Sequence, residues 1–363
     1  MTSDATGLLD EAYLRLHKTG PEFEGWLSNH APMAAEAMAR HGHAEEVGEW
    51  LDGYVGRLEE FPRGTGPIGA DWRDALGDPR RIADWTVFYQ HEVAEQPWRD
   101  VVVTWWPRLL PGLAASATHG IIRTGHAVRA LLTDGEDQAH VTELAHALAY
   151  WAARWQPVPG TQTRPAADGT SPCPVPAAAL GAVPRLTDQS GGYRARLPRL
   201  AQLAGWSAAL AAPLNQGTPE QARAWLSGLA DAAVIRYLDQ GHGNPVMLVH
   251  SATAPTAVLR TLPVLPEDLW APSAIAAFDA AAAITAIYAP AEPAPPRAIP
   301  PRAIPGVPTG PEATAELFDR AVEHGDEHVI KFADTAIEVY GRTGDPAALD
   351  AASCAVESVP RPE

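Results

Sequence analysis

Apolar residues recur at intervals of three and four along almost all of this 363-residue chain, and alternating β-branched runs are nearly absent. That periodicity builds helices and little else. Proline and glycine mark the boundaries. Pro32 sits near the start of a segment from Ala31 to Arg40, and Gly42 follows its end. Asp134-Gly135 stops a segment of roughly Pro111 to Leu132, and one from Gln138 to Trp155 ends before Pro157. Pro219 opens another that reaches Leu238, where Gly241 and Gly243 close it. Residues 44–60, 245–262 and 273–288 complete the helical set; Val101-Val102-Val103-Thr104 is the best strand candidate, but the tryptophans and prolines after it leave a short helical or extended connection equally open. The expected fold class is all-α: a single multi-helical domain over residues 1–363. Two proline-rich excursions, 157–184 and 289–311, interrupt it. The second holds nine prolines and repeats Pro-Pro-Arg-Ala-Ile in tandem from Pro295 and Pro300. Such a run favours polyproline II and cannot join a helical core.

Charge removes several classes of partner. The formal net charge is −17, with 44 acidic residues against 27 basic ones. A nucleic-acid binder needs a basic footprint, and an anionic membrane surface repels this field, so neither is an expected partner. Two cysteines, Cys173 and Cys354, cannot staple a fold of this size. Residues 1–16 lack the basic and apolar blocks of a signal peptide. The most apolar run, Ser273 to Ala289, is mostly alanine and contains Asp279, which makes it a poor bilayer span. A cytoplasmic location is the expectation. Gly64-Thr65-Gly66-Pro67-Ile68-Gly69 matches the dinucleotide fingerprint by letter. No apolar strand precedes it, however, and Pro67 removes an amide donor, so a turn is expected. There is no Walker loop, no Gly-x-Ser-x-Gly elbow and no His-Glu-x-x-His.

Histidine is the remaining source of chemistry, with thirteen along the chain. His119 and His126 are seven apart, two turns on one helix face, with Arg123 between them. Gly120 and Gly125 in the same stretch weaken a helix and suggest close approach by another element or a ligand. His30 falls at a helix N-terminus, and His250 lies in an otherwise apolar turn. His146, in Leu-Ala-His-Ala-Leu, fits core packing or support of a site equally well. His17, His41, His43, His91, His140 and His242 sit beside helix ends or charged residues and read as surface or capping positions. His324 suits a helix C-terminus.

The last cluster bears most on function. In His324-Gly325-Asp326-Glu327-His328-Val329-Ile330-Lys331, Gly325 can end one helix and Asp326 can cap the next. His328 and Lys331 then share a face in its first turns. Only two of the 27 basic residues are lysines, Lys18 and Lys331. A cation is disfavoured near a helix N-terminus. A buried, neutral lysine amine can react with carbon dioxide to give an anionic carbamate, whose oxygens are good ligands for a divalent metal. The plain alternative is open too: single histidines in apolar helices are commonly hydrogen-bonded core residues, and two lysines can survive a composition rich in Ala, Pro, Gly and Arg.

Together, Ser28-Asn29-His30, Thr118-His119-Gly120-Ile121-Ile122-Arg123, Val249-His250-Ser251 and His328-Val329-Ile330-Lys331 resemble the questin oxidase-like family. Trp105-Trp106-Pro107-Arg108-Leu109-Leu110-Pro111-Gly112 does as well. The resemblance runs over about residues 8–350. Fungal members of that family are oxygenases acting on anthraquinone-type rings in polyketide pathways, and a characterised branch holds mononuclear non-haem iron with four histidines and a carboxylated lysine. Carried over, this implies His30, His119, His250 and His328 as imidazole ligands of Fe(II), Lys331 as the carbamate and O₂ as co-substrate. Arg123 and His146 are then the candidates for catalytic roles. The chain departs from the fungal pattern at Met33 and Ala34, where fungal members carry further histidines, and in the placing of histidine about Arg123. Anthraquinone cleavage is therefore not carried over, and another aromatic polyketide or a Baeyer–Villiger-type insertion fits equally.

The expected partner is a small aromatic, polyketide-like substrate, with a homodimer as one assembly open to the chain. A need for NADPH is left open, since no nucleotide fingerprint is present. Two other functions compete: a metal-dependent hydrolase with a carbamylated lysine, and a non-enzymatic helical small-molecule binding protein.

Overall fold

The computed structural model describes residues 3–164, 172–213, 217–294 and 310–362. The chain is all-α, as the periodicity requires. Among the described residues the only strands are Glu22–Phe23 and Leu27–Ser28, a two-residue antiparallel pair that pairs Glu22 with Ser28. Val101 to Thr104 is not a strand but part of the helix Trp98–Leu109. Val101, Val102, Trp105, Trp106 and Leu109 are all buried, a spacing that puts them on one helix face. Packing of two tryptophans there overrides the local β preference of three valines. The Gly64 to Gly69 segment is a loop, as expected. The backbone N–H groups of Thr65 and Gly66 donate to the Asp84 carboxylate at 2.8 and 3.1 Å, so an acidic side chain occupies the place a phosphate would need.

Contacts group the chain into two compact units. The first comprises Met1–Val158 with Ala257–Ala276. Its central element is the helix His119–Thr133, in which every residue from His119 to Leu131 is buried. The two glycines explain how it is enclosed. A Cβ on Gly120 would lie 2.8 Å from Trp151 Cα, and one on Gly125 would lie 2.6 Å from Ala257 Cα. Only glycine lets the helix Gln138–Ala153 and the segment from Ala257 approach this closely. Trp85, Trp105, Trp106 and Trp151 are fully buried core residues here, and Trp106 Nε1 donates to Ser273 Oγ at 2.8 Å.

The second unit comprises Pro159–Thr256 with Ala277–Glu363. Its longest helix, Pro219–Gln240, starts at a capping box made by Thr218 and Gln221. The helix Pro311–His324 ends at Gly325, whose φ of +85° only glycine adopts freely. Asp326 then caps Glu327–Thr343, its Oδ1 accepting from the N–H groups of His328 and Val329 at 2.8 and 3.2 Å. The excursion at 157–184 contains helical turns of its own, Thr161–Thr163 and Pro176–Gly181, with residues 165–171 outside the described set. Two indoles anchor it: Trp206 Nε1 donates to Pro159 O at 2.7 Å and Trp225 Nε1 to Pro174 O at 2.8 Å. The Pro-Pro-Arg-Ala-Ile repeats of the other excursion lie in 295–309, outside the described residues. By length and composition Glu267–Tyr288 is apolar enough to cross a membrane, more so than its alanine content and Asp279 suggest, but 72% of its most apolar window is buried inside the protein. That degree of internal burial is the pattern of a core helix.

Candidate metal centre

Within the first unit the sequence-predicted pair His30 and His119 comes together. The short hairpin delivers Asn29 and His30 to the start of the helix Ala31–Arg40, where His30 is the N-cap residue. His119 opens its own helix. The two Nε2 atoms are 2.7 Å apart and the rings stand perpendicular, with centroids 4.5 Å apart. His119 Nδ1 donates to the Ser116 carbonyl, which places the remaining lone pair on Nε2, toward His30. Two imidazole nitrogens that share one octahedral ion through bonds of about 2.1 Å are separated by about 3 Å, so this spacing suits cis ligands.

The turn that aims His119 is strained. Ser116, Ala117 and Thr118 have successive φ values of +45°, +54° and +75°, a conformation that costs L residues roughly 1–2 kcal/mol apiece. A polar hub holds it. Tyr150 OH lies 2.6 Å from Ser28 Oγ and 2.8 Å from Ser116 Oγ, and donates to Glu22 Oε1 at 3.1 Å. Glu22 is paired in turn with Arg154. Ser28 stands two residues before His30, and Ser116 three before His119, so one phenol ties together both loops that carry imidazoles. Burial, with the Glu22 carboxylate adding to it, pushes the phenol pKa well up, so Tyr150 stays protonated.

Within the second unit His250 and His328 meet, with ring centroids 5.4 Å apart. His250 is fully buried, and its Nδ1 donates to Met247 O at 3.1 Å, again leaving Nε2 with the lone pair. One turn beyond His328, Lys331 has 0% exposure, and its Nζ has no hydrogen-bond partner among the described residues. Burial lowers the amine to about 8 against the opposing pull of the Glu327 and Asp326 carboxylates. Lys18, the other lysine, is exposed.

Arg123 and His146 both line a small polar pocket of the first unit, together with Asn29, Thr19, Thr86 and Phe61. They are held by other groups rather than by each other. Arg123 makes a two-pronged ion pair with Glu143, at 2.5 Å from Nε and 2.7 Å from Nη2. His146 Nε2 accepts from the Gln90 amide at 3.1 Å. Burial drives the His146 imidazole down to about 3, helped by His17 and Arg123, so it is neutral at physiological pH.

His126 does not join His119. Its Nδ1 lies 2.7 Å from Glu36 Oε2, and Arg129 Nε donates to the same carboxylate at 2.8 Å. Burial alone would raise Glu36, yet the Arg129 guanidinium and His126 hold it at about 2. His324 Nε2 donates to Val359 O at 3.0 Å. Two histidines read as surface or capping positions are buried at helix ends. His17 is largely buried, 3.0 Å from Glu143, and His140 is 0% exposed. Glu36, Glu143 and Tyr150 were not among the residues that sequence singled out. The signal for the acids was present: each is a lone carboxylate in an apolar helical stretch, where burial demands a cationic partner.

A family model for questin oxidase-like proteins matches residues 57–336, well over half of the chain. The chain belongs to the questin oxidase-like family. That membership implies an oxidoreductase, with an oxygenase acting on polyketides as the suggested activity. The matched span of this questin oxidase-like protein includes His119, Arg123, His146, His250, His328 and Lys331, while His30 precedes it. No curated protein matches the chain.

Proposed function

We propose that this protein is a non-haem iron-dependent oxygenase that oxidises or cleaves an aromatic polyketide ring, with His30, His119, His250, His328 and carboxylated Lys331 as the ligands of one Fe(II). The observation that carries this reading is Lys331. A fully buried amine without a hydrogen-bond partner among the described residues is costly to keep, and arginine could not take its place, since only a neutral amine adds carbon dioxide. The donor set fits the metal. Imidazoles suit iron(II), His119 and His250 hold Nδ1–H on backbone carbonyls so that Nε2 is the donor atom, and a carbamate offsets part of the cation's charge. When bound, the iron supplies the means of using O₂ on an unactivated ring.

The chain's own residues position and insulate. Tyr150 fixes the His30 and His119 loops through Ser28 and Ser116. Arg123 spends its donors on Glu143, and neutral His146 is bound to Gln90, so these two shape the pocket wall and set its electrostatics. With an imidazole at about 3, His146 is a weak proton acceptor and acts as a positioning residue. A cytoplasmic location, a homodimer and the use of NADPH are compatible additions to this proposal.

Metal analysis of untagged protein after anaerobic reconstitution tests the assignment. One equivalent of iron is expected, lost in both Lys331→Ala and His250→Ala. Two equivalents of zinc in the wild type would favour the carbamylated-lysine hydrolase. Full iron retention in both variants would refute the ligand set.

A further inference from the structure

Away from the proposed iron ligands, Asp10, Asp137 and His140 converge within the first unit: one ligand atom from each lies within 4.8 Å of the others. Local structure explains the convergence. Asp10 stands on the helix Ser3–Leu16. Asp137 is the N-cap of Gln138–Ala153, its Oδ1 accepting from the N–H groups of Ala139 and His140 at 2.9 and 3.1 Å. Those bonds fix the carboxylate and turn Oδ2 toward His140 Nδ1, 2.8 Å away. The same Nδ1 lies 3.2 Å from Gly135 O, so its proton is donated locally and the imidazole lone pair is at Nε2.

No described residue makes a hydrogen bond to that nitrogen, whose nearest charged neighbour is Asp10. The His140 side chain is 0% exposed, and its Nε2 has no hydrogen-bond partner; the buried Oδ1 of Asp10 has none either, although the two atoms face each other at 3.6 Å. Two buried acceptors left unsatisfied cost about 1–3 kcal/mol each. Asp10, raised by burial and by Asp137, shares a side-chain hydrogen bond with Asp137, and its 3.6 Å approach to His140 Nε2 is too long for another. An ion suits that gap: two ligands of a tetrahedral first-row cation, at bonds of about 2.0–2.1 Å, stand about 3.3–3.4 Å apart. Gly135 O takes the Nδ1–H bond that orients the imidazole, and Asp137 Oδ2, 2.8 Å from Nδ1, adds a second carboxylate beside the ring. The positive end of the helix dipole opposes a cation by up to about 1 kcal/mol, which two carboxylates outweigh.

We infer that Asp10, Asp137 and His140 form a second divalent-cation site, separate from the iron centre, that takes a borderline ion of the Zn²⁺ class with water completing its coordination. Imidazole excludes Ca²⁺ and Mg²⁺ as the preferred occupants, since both favour all-oxygen shells. The role is structural. The ion fastens the Ser3–Leu16 helix to the start of Gln138–Ala153, with the Tyr13 ring packed edge-on against His140, centroids 5.5 Å apart.

The test is a zinc count on untagged, full-length protein dialysed against buffered free Zn²⁺. Wild type should hold one equivalent more than Asp10→Asn, whose part-exposed position tolerates the amide. His140→Gln should lose the same equivalent, and Lys331→Ala should keep it. The difference between wild type and Asp10→Asn is independent of the iron proposal, because any metal at Lys331 is present in both proteins. Equal zinc content in wild type and Asp10→Asn would overturn the inference.

Discussion

Replacing Lys331 by methionine separates a metal ligand from an ordinary buried amine. The two side chains are of similar length, so the substitution changes chemistry more than volume. In the metal-free protein the lysine is a liability: burial lowers its pKa from 10.5 to about 8. At about 1.4 kcal/mol per unit, the charged form is disfavoured by about 3 kcal/mol. The sign follows from the depressed value. Below pH 8 the amine must be protonated in a place that resists it and the full cost is present; above 10.5, where both states are neutral, the cost is gone. Metal-free Lys331→Met is therefore expected to be more stable than metal-free wild type at pH 7, by about 3 kcal/mol in urea denaturation. The order should invert once iron and bicarbonate are supplied, because only wild type can form the carbamate and gain stability from binding. A variant that is less stable without metal, or that still takes up a full equivalent of iron, would refute the reasoning.

Tyr150→Phe removes one hydroxyl from Ser28, Ser116 and Glu22; it should cost about 1–3 kcal/mol and weaken iron retention, measured by melting temperature and metal content. If neither changes, the hub does not position the histidines. Gly125→Ala should cost about 2 kcal/mol in urea unfolding despite the better helix propensity of alanine, because the new methyl would meet Ala257 Cβ at 2.5 Å and its Cα at 2.6 Å. Acid should destabilise the protein in two stages. His126 and His146 are depressed to about 4 and 3, so the unfolded chain binds protons first, and about 2 kcal/mol per histidine should be lost as pH falls from 6.5 to 5. Glu143, where Arg123 overcomes the upward push of burial and holds the carboxyl at about 2, stabilises the fold above pH 4.5, and that contribution is lost as pH falls toward 2. A melting temperature that is flat between pH 7 and 5 would contradict the burial of those imidazoles.

The sequence was most informative where one residue does one local job. Gly325 and Asp326 end and begin helices as their chemistry requires, His30 stands at an N-terminus, and the two glycines of the His119–Thr133 helix mark close packing. At Val101 to Thr104 the sequence left strand and helix both open, and tertiary packing decided for the helix. Charge partners were not legible at all. Arg123 and Glu143, or His126 and Glu36, are brought together by folding rather than by spacing, and no pattern along the chain announces which acid will face which base. The same limit misplaced His17 and His140: proximity to a helix end suggests exposure, but burial depends on what packs over that end.

That distinction bears on which histidines belong to the proposed iron site. His119 and His126 are two turns apart on one helix, as nearly are His30 and Glu36 along the helix beside it, so the two helices meet at two levels. At the upper level His119 faces another imidazole, a pairing of two donors that gains most from a shared cation. Two turns on, His126 faces a carboxylate already neutralised by Arg129, and its other nitrogen, Nε2, meets Arg260 at 3.1 Å. Two guanidinium groups beside His126 repel a metal ion, whereas the ring nitrogens of His119 meet a backbone carbonyl and the His30 imidazole. One sequence spacing thus produces one histidine that faces an imidazole and one that serves a buried ion pair, and the difference is the two arginines within reach of the second.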